Sequence, residues 1–318
     1  MRVSIAIPVY NEEAVLPELL RRVSKVLDTL PGGPHEVVFV DDGSRDGTLA
    51  LLRAAVEADP RIRAVVFSRN FGHQPAFGAG LAHAQGDVVV LMDGDLQDPP
   101  EAIPRLLEQH QAGYDVVYAR RVRRKEGLRF RIAYALAYRL IGRLSDIALP
   151  LDAGDFALLS RRVVDAVNRL PERQRYLRGL RAWVGFKQIG IEVEREARWA
   201  GEAKYTLTDL SRLAVDGMLA FSVAPLRAAA FVGALSVIAS VLFALYAVYV
   251  RLVQGHAPEG FTALLVAITF LGGVQLFFLG VVGEYVGRIF EETKGRPSYL
   301  VAQVLEHADG SVVRARVS

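Results

Sequence analysis

Asp93 and Asp95 stand one residue apart at the end of a short apolar run, Asp87-Val-Val-Val-Leu-Met92, whose length and β-branching are those of a buried strand. Gln97 follows with its amide, and then Pro99-Pro100, which can open a helix. Hard divalent cations such as Mg²⁺ take carboxylate oxygens and usually share them with substrate phosphates. Two carboxylates at this spacing therefore suit a metal-bridged diphosphate. An isolated Asp-x-Asp is more often an ordinary turn, so its surroundings decide.

Those surroundings alternate. Strand patterns at Val3–Val9, Glu36–Val40, Arg61–Phe67, Asp87–Met92 and Asp115–Ala119 are separated by helical spacing over 12–30, 46–57, 74–84 and 99–111. Such alternation implies an α/β domain with a mostly parallel sheet and helices on both faces. Ligands of such sheets bind beyond the carboxyl ends of the strands. Those ends read Pro8-Val9-Tyr10-Asn11-Glu12, Asp41-Asp42, Arg69-Asn70, Asp93-Gly94-Asp95 and Arg120-Arg121. Acids could hold a base and ribose, Tyr10 could pack on a ring, and arginines could meet phosphate. Polar loops are common in any such sheet, but five together favour a nucleotide.

The composition points to a membrane as well. The chain of 318 residues is 52% hydrophobic yet 23% charged, with mean hydropathy +0.24. A net charge of +3 is too small to imply nucleic acid, and cysteine is absent, which excludes disulfides, thiol nucleophiles and zinc-thiolate sites. Lysine occurs at positions 25, 125, 187, 204 and 294 alone, so the basic residues are nearly all Arg, suited to phosphates and to membrane surfaces. The N-terminal apolar run is too short for a signal peptide and reads as a strand, which keeps the soluble part in the cytoplasm.

Ile-Pro-Val-Tyr-Asn-Glu-Glu (7–13), Val-Asp-Asp-Gly-Ser-Arg-Asp-Gly-Thr (40–48) and Asp-Gly-Asp-Leu-Gln-Asp-Pro-Pro-Glu (93–101) resemble the signature blocks of family 2 inverting glycosyltransferases of the GT-A (Rossmann-like) fold. Within that family the pattern is similar to polyprenyl-phosphate sugar transferases, of the bactoprenol glucosyltransferase and dolichyl-phosphate mannose synthase type. The resemblance implies that Pro8, Tyr10, Glu12, Val40 and Asp42 contact the nucleoside. It implies that Asp93, Gly94, Asp95 and Gln97 hold the diphosphate, with Asp93, Asp95 and Gln97 binding Mg²⁺ or Mn²⁺. Many relatives carry Ala at the position of Gly94, which leaves the carboxylate spacing intact.

Arg120 to Arg131 is strongly basic, and over about 129–148 apolar residues such as Tyr134, Tyr138, Ile141 and Leu144 alternate with Arg131, Arg139 and Arg143. That pattern fits an amphipathic helix at a membrane interface; a helix packed on the sheet is the alternative. Asp152-Ala-Gly-Asp155-Phe resembles the family's acceptor block, which places Asp155 beside the reacting centre, and Arg175-Tyr-Leu-Arg-Gly-Leu-Arg-Ala-Trp183 resembles its next segment. The Gln-x-x-Arg-Trp block of processive synthases does not occur here, which favours transfer of a single sugar. Arg198-Trp-Ala-Gly-Glu-Ala-Lys204-Tyr205 resembles a further block, with Ala203 in place of Ser. Arg198 and Lys204 are expected at the diphosphate, and with Arg120 and Arg121 at the acceptor phosphate. Asp95 and Asp155 are the expected catalytic residues. Asp155 is expected to orient the acceptor and to take up a proton only when the lipid phosphate arrives as the monoanion.

Ala228 to Val250 and Phe261 to Val282 carry no charge, and each exceeds the ~20 residues that cross ~30 Å of hydrocarbon. Arg212, Arg227, Arg288, Lys294 and Arg296 flank the outer ends of the pair, which puts both termini in the cytoplasm. The expected organisation is a catalytic domain over 1–205, a juxtamembrane helix over 206–227, two transmembrane helices within 228–289, and a polar, mobile tail over 290–318. The expected reaction moves one sugar from a nucleotide-sugar to undecaprenyl or a similar polyprenyl phosphate at the plasma (inner) membrane, with inversion. UDP-glucose is the first choice of donor. GDP-mannose, UDP-modified arabinose, another lipid acceptor and a non-catalytic scaffold are the alternatives. The relatives suggest a homo-oligomer.

Overall fold

The computed structural model describes residues 1–121, 153–172, 175–194, 223–254, 260–308 and 311–315. The expected interfacial helix near 129–148, residues 206–222 of the expected juxtamembrane helix, and Arg198 and Lys204 lie outside the described residues. The chain divides into two compact units, one holding the sheet and the chain from Pro297 onward, the other lying within Thr208–Arg296 and adjoining it in sequence.

In the first unit the chain runs β1 (Val3–Val9), α1 (Leu16–Thr29), β2 (Glu36–Asp41), α2 (Thr48–Ala58), β3 (Ile62–Phe67), α3 (His73–His83), β4 (Val88–Leu91), α4 (Ile103–Gln111) and β5 (Val116–Arg121). It continues with β6 (Ala153–Ser160), α5 (Arg161–Asn168), α6 (Leu177–Trp183) and β7 (Gln188–Val193). After the second unit come β8 (Val301–Ala308) and β9 (Ser311–Ala315). The described strands form one sheet in the order β7-β5-β6-β4-β1-β2-β3-β8-β9. Strands β4, β1, β2 and β3 are mutually parallel. Both faces are covered, so these strands are mainly apolar; every residue of β1 and β2 is buried, Ser4, Glu36 and Asp41 included.

Several features differ from the sequence expectation, among them the end of β5, which takes in Arg120 and Arg121 instead of stopping at Ala119. Helix α1 starts at Leu16 rather than near Glu12, because residues 12–15 form a turn whose Glu12 carbonyl accepts the N–H groups of Val15 and Leu16 at 3.0 and 2.9 Å. Pro17 then occupies the first helical turn, where a missing N–H costs nothing. Strand β6, unforeseen, inserts antiparallel between β4 and β5. The second strand runs one residue further, to Asp41. The end of the chain is not a loose tail: β8 pairs antiparallel with β3, from Ala64↔Leu305 to Phe67↔Val301. Arg63 fixes that pairing from the side, with Nη2 2.6 Å from the Glu306 carboxylate, and Leu305 is 1% exposed.

The second unit contains α7 (Ala224–Gln254) and α8 (Phe261–Thr293). Leu226–Val250 and Val266–Thr293 are each long and apolar enough to cross a membrane, and neither is buried within the protein. Hydroxyls on α7 are turned inward, as an apolar surround demands: Ser236 Oγ donates to the Val232 carbonyl at 2.9 Å and Ser240 Oγ to Ser236 at 2.8 Å.

Candidate active site

The parallel register brings the ends of β1 and β2 side by side, with Pro8 opposite Val40 and Val9 opposite Asp41. The loops that follow are stitched together. Asn11 N–H donates to Ser44 Oγ at 3.0 Å, Arg45 N–H to Asn11 Oδ1 at 2.8 Å, and Glu12 N–H to Thr48 Oγ1 at 2.9 Å. Gly47 N–H donates to Glu13 Oε2 at 2.8 Å. Asn11 takes a left-handed φ of 54°, which Asn tolerates better than most residues. The side chains of the Asp-Asp-Gly-Ser-Arg-Asp-Gly-Thr segment thus shape two loops at once.

Asp42 is 4% exposed and accepts the N–H groups of Phe71 and Gly72 at 2.7 and 2.9 Å. Burial pushes its carboxyl above the usual range, and these two donors hold it back in part. Tyr10, two-fifths exposed, remains open to a ligand. Gly43 has φ +72°, and a Cβ there would lie 2.6 Å from the carbonyl carbon of Arg69 and 2.8 Å from Asn70 N. Gly43→Ala should therefore destabilise the protein by roughly 2 kcal/mol or more. Denaturant unfolding of the purified protein measures it, and an unchanged midpoint would show that the loop gives way freely.

After β4 the chain turns through Asp93-Gly94-Asp95-Leu96-Gln97. Leu96 is 1% exposed at φ 59°, a left-handed conformation that a branched residue keeps only when packing imposes it. Asp95 Oδ1 accepts Gln97 N–H at 3.1 Å, and Asp93 Oδ1 lies 2.8 Å from His73 Nε2 at the start of α3. Burial pulls His73 down, but the Asp93 carboxylate more than offsets it and leaves the imidazole raised. Gly94 is less neutral than the resemblance implied. A Cβ there would stand 2.9 Å from the Pro8 carbonyl oxygen and 3.0 Å from Val9 Cγ1, so Ala fits only if the β1 end shifts by some tenths of an ångström.

Among the described residues, no three His, Asp or Glu side chains converge as a complete metal cage. A Mg²⁺ or Mn²⁺ shared with a substrate takes only one or two carboxylates and completes its shell with waters and phosphates. Asp93 and Asp95 offer carboxylate oxygens of the type such an ion takes.

Asp155, on β6, is 7% exposed and receives two hydrogen bonds from the Arg178 guanidinium on α6, at 2.7 and 2.5 Å. Burial alone would raise this carboxyl; the Arg178 bonds outweigh it and hold it below the ordinary carboxylate range. Paired in this way, the Asp155 carboxyl favours its ionised form. Arg181, one turn on, is 3% exposed, and its guanidinium sits 5.1 Å over the Tyr118 ring. It reaches the Gly154 carbonyl only at 3.4 Å, and its Nε has no partner among the described residues. Burial pulls Arg181 down to about 10. His73 lies within electrostatic reach of both Asp93 and Asp155, as does Arg178, so one acid of the Asp93-Gly94-Asp95 turn and the Asp155–Arg178 pair share a neighbourhood.

Arg120 projects from β5, exposed, on a strand paired with β6 and β7. Arg121 ends that strand, and its side chain lies outside the described set. Among the described residues, Arg178, Arg181 and His73 act on Asp155, and neither arginine is among the site residues expected from the sequence. Their signal was present in the three-residue spacing that puts both on one helix face. His73 was also missed, since a lone His at a helix start carries no pattern.

The chain matches Glycosyl transferase family 2 over residues 4–167 and the GtrB C-terminal hairpin over 224–289. It is 43% identical over 299 residues to the glycosyltransferase YkcC of Bacillus subtilis, covering 94% of this chain and 92% of that protein. It is 40% identical over 302 residues to the bactoprenol glucosyl transferase of Shigella phage SfX, covering 95% and 99%. Among solved structures it is similar to the mannosyltransferase PcManGT of Pyrobaculum calidifontis in complex with GDP-Man and Mn²⁺. There the TM-score is 0.51 and the identity 21%, over 69% of this chain and 63% of that one.

Proposed function

This chain belongs to glycosyl transferase family 2, with the GT-A fold and the GtrB-type hairpin, and from that premise we propose that it moves a single glucose from UDP-glucose to a membrane polyprenyl phosphate, with inversion. The observation that carries the reading is the extent of the likeness to the bactoprenol glucosyl transferase. It runs through the apolar hairpin as well as the sheet, over 99% of that protein. A polyprenyl chain cannot leave the bilayer, so a catalytic domain that uses it must be tethered there.

In this reading Pro8, Tyr10, Glu12, Val40 and Asp42 hold the nucleoside, and Asp93, Asp95 and Gln97 hold a divalent ion with the diphosphate. That ion, when bound, neutralises the leaving diphosphate. An oxygen of the lipid phosphate bonds to the anomeric carbon on the face opposite the leaving group, as the bond from that carbon to the diphosphate breaks. Asp155 and Arg178 orient the incoming phosphate, with Arg120, Arg121, Arg198 and Lys204 as further cations for it. Both termini are assigned to the cytoplasmic face of the plasma membrane. The pairing of β8 with β3 supports a common side for both flanks of the helix pair, since a chain that crosses twice returns to the side it left; the cytoplasmic choice rests on the flanking basic residues.

The test is to incubate membranes carrying the protein with polyprenyl phosphate and a panel of nucleotide-sugars, and to weigh the lipid product. We expect a single added hexose with UDP-glucose as donor. Preference for GDP-mannose or a UDP-pentose would overturn the choice of sugar, and no lipid product from any donor would overturn the reaction.

A further inference from the structure

We propose that Tyr299, on the segment that returns from the helix pair, is a positioning residue of the donor site: it fixes the loop whose N–H groups hold Asp42, and so sets affinity for the nucleoside diphosphate. This rests on the reading of Asp42 as a nucleoside contact.

After α8 the chain runs Arg296-Pro-Ser-Tyr-Leu300 into β8. A strand added only to finish the sheet would need nothing before its ladder. Here the grip begins earlier. The Tyr299 ring stacks on Phe67 with centroids 4.9 Å apart and planes 13° from parallel, and the Leu300 carbonyl accepts Ser68 N–H at 3.0 Å. The register of β8 against β3 slips between Val66 and Phe67, so the tail holds β3 at the point where the strand ends and loop 68–72 begins.

That loop leads to the donor site. Phe71 meets Phe67 edge-on at 5.7 Å, the Arg69 guanidinium lies 4.0 Å over the Phe71 ring, and the Phe71 and Gly72 N–H groups carry the Asp42 carboxylate. The same apolar cluster contains Val40 together with Phe67, Phe71, Tyr299 and Val301, and Val40 is paired with Pro8. One stacked ring from the tail therefore supports both a strand end and an acid of the nucleoside pocket. Hydrogen bonds to a carboxylate weaken steeply with misalignment, so a small shift of Phe71 loosens both donors together.

The experiment uses the full-length protein in lipid nanodiscs, with UDP and Mn²⁺ as the binding probe and UDP-glucose turnover as the kinetic one. Tyr299→Ala is expected to raise the Kd for UDP and the KM for the donor about five-fold, the worth of one aromatic pair, with kcat within about two-fold of wild type. Tyr299→Phe keeps the ring and should restore wild-type values. Tyr299→Leu keeps apolar bulk without the stack, tolerates the site should Ala unfold it, and should still weaken UDP about three-fold. Wild-type UDP affinity in both Ala and Leu variants, or a fall in kcat with UDP affinity intact, would overturn the proposal. Failure of the wild-type protein itself to bind UDP or any other nucleoside diphosphate would overturn the donor-site reading instead.

Discussion

Asp93→Asn and Asp95→Asn should each lower sugar transfer by about 10³-fold or more, a loss near 4 kcal/mol of transition-state stabilisation, while the protein stays folded. Both carboxylates flank Gly94 on a turn held by the buried Leu96 at positive φ. Two acids beside a diphosphate repel it unless a cation intervenes, so their role is tied to the ion they share with it. The Asn variants should therefore bind UDP with the same Kd in Mn²⁺ as in EDTA, whereas wild type binds more tightly in Mn²⁺. Both side chains are partly exposed, and their replacement should move the unfolding midpoint little. Full transfer by wild type in excess EDTA would sink the assignment, as would an Asn variant with near-normal rate.

The paired acids were legible in the sequence because a parallel sheet lines up its strand ends, and each of these strands is a local apolar run that needs no partner to be recognised. Strand β6 was not. Its Ala-Gly-Asp start is poor in β propensity, and it becomes a strand by fitting between β4 and β5. The chain end was misread for a related reason. Val301–Ala308 carries Gln303, Glu306 and His307 among its apolar residues, and its pairing with β3 depends on contacts such as Arg63 to Glu306, 243 positions apart in sequence. No local pattern reports such a pairing. The consequence is practical: a chain cut before Ala228 loses β8 along with the hairpin, so poor transfer by that truncation would not isolate the role of the membrane anchor.

Asp155→Asn should lower kcat/KM for the polyprenyl phosphate by about 10²-fold, and the deficit should be flat across about pH 5.5 to 8.5. A lipid phosphate with a second pKa of about 6 is largely dianionic at pH 7 and needs no base to expose its nucleophile. The sign follows from the structure. Burial raises the Asp155 carboxyl and the Arg178 hydrogen bonds lower it further than that, so its folded pKa lies below the ordinary value of 3.8. A group depressed in this way is ionised throughout the window, and its contribution is lost only as pH falls through that lowered pKa. The acceptor's own titration enters wild type and variant alike and cancels in their ratio. What the substitution removes is the partner of Arg178, whose side chain is 29% exposed against 8% for Asp155. Leaving one member of so buried a pair alone costs up to about 3 kcal/mol of stability, and frees the guanidinium to turn away from the cleft. Arg178→Gln should then lower the same parameter by a similar factor. The double variant should be little worse than either single one, because both act as one unit. A ratio of rates that recovers as pH rises would show instead that the carboxylate accepts a proton in the reaction, and additive losses would show that Asp155 and Arg178 act separately.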